Sequence, residues 1–174
     1  MADPSATAKP APARRIVTGH DANGQAILLL DDHPATSARP GSSPDEALLH
    51  QSAVLWSTNT FPNDNAATGF LDGKIAPSTR GGSILRMVDF APGLSSPLHR
   101  TITLDYAVLL AGDHVEVELD SGVLVRVSPG DVLIQRGTLH AWHNRGTHWA
   151  RFLFVLMDAQ PLTVGAKELH MEGL

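Results

Sequence analysis

The chain has 174 residues, no cysteine, a net charge of −5 and 43% hydrophobic residues. That length suits one domain, burying roughly 70% of the surface its unfolded chain would expose. Disulfides and thiolate metal ligands are excluded, and without a run of Lys or Arg neither nucleic acid nor an anionic membrane is an expected partner.

Residues 1–13 are small, polar and Pro-rich, which predicts a disordered lead followed by one domain over 14–174. No apolar stretch reaches membrane-span length and the lead lacks a signal-peptide core, so the expected location is the cytoplasm. Residues 14–20 and 25–30 flank Asp21-Ala22-Asn23-Gly24, a hairpin pattern in which Asn-Gly favours the turn. A Pro/Ser/Gly-rich connection over 33–46 leads to a β-rich segment at 48–58 that carries Trp56. Residues 59–82 are long and polar, with the composition of a lid, a binding loop or a disordered excursion.

From residue 83 the pattern is strand after strand: 83–90, 98–110, 114–120, 123–127, 131–135, 139–144 and 150–157. Val115, Val117 and Leu119 alternate with His114, Glu116 and Glu118, the signature of a half-buried strand. Residues 150–157 are apolar on both faces, as a strand covered on both sides would be. The tail from Thr163 is expected to form one or two helical turns. Short strands with a turn every eight to twelve residues predict a closed barrel or double-sheet jelly roll.

Two segments carry the chemistry. In the first, His99 follows Gly93 at a five-residue gap, and Asp105 precedes Gly112 at a six-residue gap. In the second, Gly137, His140 and Asn144 stand at G-x2-H-x3-N spacing. If 98–110 is one continuous strand, His99, Thr101, Thr103 and Asp105 share a face, while Tyr106 turns to the other. His140, Trp142 and Asn144 share a face in the second segment, which makes His143 a surface or interface residue. A strand with its polar face in solvent would give the same alternation, and His99 and His140 could equally be hydrogen-bonded pocket histidines.

These segments, with Trp56-Ser57-Thr58 and Gln135-Arg136-Gly137-Thr138-Leu139-His140-Ala141-Trp142, resemble a subgroup of small single-domain cupins. The family's first motif is G-x5-H-x-H-x3,4-E-x6-G. Here Thr101 replaces the second His and Asp105 the Glu, while Gln135 replaces the Pro that is usual in the second motif. The resemblance covers the chain after the lead and implies an all-β, double-stranded β-helix fold and a divalent metal. His99, Asp105 and His140 are then the metal ligands, a set that suits Fe, Zn, Mn, Ni or Co. Asp105, His140 and Thr101 are the candidate catalytic residues, and Trp56, Arg86 and Trp142 the candidate substrate-pocket residues.

The leading function is a metal-dependent lyase, dehydratase or isomerase acting on a small, partly apolar molecule, the metal serving as Lewis acid. An Fe(II) dioxygenase and a non-catalytic small-molecule-binding module are the alternatives. A homodimer paired through the outer sheet that carries Tyr106 is the expected assembly.

Overall fold

The computed structural model describes residues 8–38, 43, 45, 49–67 and 78–173. Residues 1–7 of the expected lead, and parts of the connections at 33–46 and 59–82, lie outside the described residues.

The expected hairpin forms from β1 (Arg15–His20) and β2 (Ala26–Asp32), closed by a turn in which Gly24 takes φ +79°. Arg14 and Arg15 reach across it to Asp31 and Asp32, each contact at 2.6 Å. The barrel proper consists of two facing sheets. One contains β3 (His50–Thr58), β4 (Ser83–Phe90), β10 (Ala150–Asp158), β5 (Thr103–Ala111) and β8 (Val132–Arg136), in that spatial order. The other contains β7 (Leu124–Val127), β6 (Val115–Leu119) and β9 (His140–His143). All pairings in both sheets are antiparallel.

Alternation sets which side chains fill the space between the sheets. Ile84 and Val88 point inward from β4, Ala107 and Leu109 from β5, Val115 and Val117 from β6, and Phe152, Phe154 and Leu156 from β10. β10 lies between β4 and β5, and its other face, Leu153, Val155 and Met157, is apolar but only half-buried, so the strand is not covered on both sides as the sequence predicts. Trp142 packs edge-on against Phe152 and Phe154 at 5.1 and 5.4 Å, closing the aromatic centre of the core.

Two further expectations fail. The tail forms not helical turns but a second hairpin, β11 (Leu162–Val164) and β12 (Lys167–Leu169), because Gly165 at φ +62° reverses the chain after only three residues. The strand expected over 98–110 is also broken. His99 and Arg100 pair as isolated bridges with His140 and Glu172, and β5 starts only at Thr103. The alternation along β5 therefore does not extend back to His99.

Candidate functional site

The site is assembled from three places: the bridge segment at His99, the inner faces of β4 and β5, and the start of β9. His99 and His140 exchange both backbone hydrogen bonds, N–H to O at 2.8 and 3.0 Å, which brings their ring centroids to 4.4 Å. Gly137, at φ +59°, makes the turn that aims β9 at this bridge, a conformation that favours glycine. Gly112 serves the first motif likewise, at φ +115°, and a Cβ there would meet the Ala150 Cα at 2.9 Å.

Each imidazole is held by the carbonyl two residues before it. The His99 Nδ1 lies 2.9 Å from the Pro97 carbonyl oxygen, and the His140 Nδ1 lies 2.9 Å from that of Thr138. A carbonyl can only accept, so each neutral ring carries its hydrogen on Nδ1 and its lone pair on Nε2. Burial pushes His140 down to about 4, and the adjoining His99 pushes the same way. His140 is therefore neutral at pH 7.

Asp105 lies two positions before Ala107 on the same inner face of β5, and is 6% exposed. Burial pushes its carboxyl up to about 6, against the opposing pull of the Thr103 hydroxyl and of the Arg86 charge. Its Oδ1 is buried without a hydrogen-bond partner. The Thr101 and Thr103 hydroxyl oxygens are 2.6 Å apart, so a line of hydroxyls leads from Thr101 to the carboxylate. Gln135, opposite Asp105 on β8, is buried and hydrogen-bonds Thr138.

Arg86 projects from the inner face of β4 between Ile84 and Val88, with its guanidinium carbon 5.8 Å from the Phe154 ring centroid. Trp142 lines the same interior and sets its ring at 89° to His140, centroids 5.5 Å apart. Arg86, Trp142, Thr101, Asp105, His99 and His140 thus all contribute to the barrel interior.

Trp56 does not join them. A bulge between Val54 and Trp56 shifts the register, so that Trp56 pairs with Leu85 on the face turned away from Arg86. His143 is not a surface residue either. It is buried between Ser95, whose hydroxyl lies 2.9 Å from Nδ1, and Glu118, 3.0 Å from Nε2.

The three-ligand metal centre is not assembled. Among the described residues no three His, Asp or Glu side chains gather closely enough to hold an ion. The chain bends at 101–102, so His99 leaves the line of β5 to meet His140, while Asp105 remains on β5 with Thr103 and Arg86 for company. Two imidazoles whose Nδ1 atoms are anchored by carbonyls are what a divalent ion selects in a pair of ligands. The third donor is missing from the described residues, so the triad read from the sequence does not fit.

No family model matches the chain. Among curated proteins, it is 38% identical over 171 residues to the cupin-domain-containing oxidoreductase fogC of Aspergillus ruber, with 91% of this chain and 78% of the relative covered. The chain belongs to the cupin family. A second relative of this cupin, phomopsin biosynthesis cluster protein C′ of Diaporthe leptostromiformis, is 37% identical over 163 residues, covering 89% and 83%. A third, the cupin-domain-containing oxidoreductase virC of Hypocrea virens, is 33% identical over 159 residues, covering 86% and 78%. The fold of the cupin is shared with the polyketide cyclase RemF of Streptomyces resistomycificus, at TM-score 0.50 and 19% identity, covering 81% and 80%. It is also shared with the DMSP lyase DddQ of Ruegeria pomeroyi, at TM-score 0.52 and 15% identity, covering 75% and 59%. None of the helices formed by described residues is long and apolar enough to cross a membrane.

Proposed function

We propose that this cupin is an enzyme of small-molecule biosynthesis that moves a proton at an oxygen-bearing carbon, a lyase, dehydratase or isomerase. The carrying observation is Asp105: a buried carboxyl pushed up to about 6, inside the barrel and connected through Thr103 to Thr101. A general acid or base works best when its pKa lies near the operating pH, and burial achieves that here. In this reading Asp105 takes the proton from carbon, Thr101 and Thr103 orient its carboxylate, and the neutral His140 accepts a hydrogen bond at Nε2. Trp142 and Phe154 supply an aromatic wall for a partly apolar substrate.

The test is solvent deuterium uptake into a panel of small enolisable carbonyl compounds, followed by NMR. Asp105→Asn should slow exchange at least 100-fold. Undiminished exchange in that variant would remove Asp105 from the chemistry.

The relatives favour a second reading. Four of them, 33% to 38% identical, are named cupin-domain-containing oxidoreductases. Dioxygen consumption on addition of Fe(II) and candidate substrates, lost in His140→Ala, would favour that reading over redox-neutral proton transfer.

The proposed working unit is a homodimer, in which the β1–β2 hairpin of one copy covers the outward face of β5 and β8 of the other. The hairpin exposes Ile16, Ile27, Leu28 and Leu29, and the sheet exposes Tyr106, Leu110, Val132 and Ile134, each between 39% and 60%. An isolated two-stranded hairpin is marginal in water, and this one is tied to its own barrel by an Arg15 hydrogen bond to the Leu55 carbonyl.

A further inference from the structure

We propose that Arg86 is an anion-binding residue, taking the carboxylate of a small aromatic or unsaturated hydroxy acid inside the barrel. This deepens the enzyme reading above and rests on it for the assumption that the interior receives a substrate.

The argument starts from an unsatisfied cation. Among the described residues, the other arginines that are withdrawn from solvent are paired: Arg151 grips Asp89 with two hydrogen bonds of 2.7 and 2.8 Å, Arg15 meets Asp32 at 2.6 Å, and Arg100 meets Glu172 at 3.7 Å. Arg86 differs. Its Nε is buried with no partner, and among the described residues none accepts a hydrogen bond from its guanidinium. A guanidinium has five donors in a planar fork that suits a carboxylate. Leaving such a group unpaired in an interior is costly, and a bidentate anion would remove that cost.

Its surroundings define the rest of the ligand. Arg86, Phe154 and Ala107 form one row across β4, β10 and β5, and Asp105 stands one inward position along β5 from that row. Arg86 and Asp105 attract one another across β10 but share no hydrogen bond, and Asp105 Oδ1 is itself without a partner. One molecule could satisfy both: an anionic oxygen pair on the guanidinium, and a hydroxyl donating to Asp105. Phe154, under the guanidinium, and Trp142, against Phe154, give that molecule a flat apolar face to lie on.

The test uses binding, so it does not depend on turnover. Benzoate, salicylate and cinnamate, and the neutral amide of each, are titrated into the full-length protein by calorimetry. Salicylate should bind the wild type at least 10-fold more tightly than salicylamide. Arg86→Gln should abolish that preference with little change for the amide, and Arg86→Lys should restore part of it. Melting curves for both variants establish folding. Arg86→Met, which removes the unpaired cation, serves as a second variant if Arg86→Gln fails to fold. Equal affinities for acid and amide, no binding of any acid to wild type, or an unchanged preference in Arg86→Gln would each overturn the proposal. If the enzyme reading failed instead, deuterium exchange would be insensitive to Asp105→Asn while the acid preference at Arg86 persisted.

Discussion

His99 and His140, far apart in sequence, are joined by a two-way backbone bridge that sets their rings 4.4 Å apart. Burial pushes His140 down to about 4, and charge on the adjoining His99 ring pushes the same way. The folded state thus binds fewer protons at His140 than the unfolded chain does between about pH 4 and 6.5. Stability from this group therefore rises with pH across that window, by about 3 kcal/mol.

Asp105 has the opposite slope. Its folded pKa of about 6 lies above the unfolded 3.8, so the folded state binds more protons in between. Stability from Asp105 falls as pH rises through that range, also by about 3 kcal/mol. The two contributions nearly cancel in the wild type. Urea titrations of metal-free protein between pH 4 and 6.5 should therefore show little slope from this pair. Asp105→Asn should unmask a rise with pH and His140→Asn a fall, and parallel curves for both variants would contradict the assignments.

Thr103 opposes the upward shift of Asp105 by hydrogen-bonding its charged form. Thr103→Val keeps the shape and removes the hydroxyl, so the Asp105 pKa should move higher still. The acid limb of the pH–rate profile should shift to higher pH, while the limiting rate on the plateau falls less than in Asp105→Asn. A limb that stays in place would show that another group sets it.

Phe152 is fully buried and touches Phe90, Trp142 and Phe154, with centroids between 5.1 and 5.8 Å. Phe152→Ala should cost about 3–5 kcal/mol in equilibrium unfolding, since the two sheets cannot collapse onto the space left. A cost below about 1 kcal/mol would mean that the centre repacks freely.

The assembly can be read from light scattering after gel filtration. Wild type should elute at twice the 18.5 kDa chain mass. Leu28→Asp and Ile134→Asp, one on each apolar surface, should each yield monomer. A monomeric wild type, or a dimer untouched by both changes, would refute the proposed interface.

Most of the architecture was legible because alternation and turn residues are local signals. The Asn23-Gly24 turn and the Val115/Val117 face appear as expected, whereas the apolar run at 150–157 is buried on one face and only half-buried on the other. The site was only half legible. Trp142 and His140 share a face as parity sets them, but the relation of His99 to Asp105 assumed a continuous strand, and Thr101-Ile102 interrupt it. That break is imposed by long-range bridges to His140 and Glu172, which no local pattern announces. Trp56 turned away for a comparable reason, a one-residue bulge that reverses which face a side chain takes. His143 could not be recognised as buried without knowing that Ser95 and Glu118 converge on it. The tail lacked periodicity strong enough to separate a helical turn from a three-residue strand.

The edge-on packing of Trp142 against His140 has a practical consequence. An indole is quenched more strongly by an imidazolium than by a neutral imidazole, so this protein carries its own optical probe. Emission from Trp142 should dim when His140 takes up a proton, reporting the state of the interior without any added label.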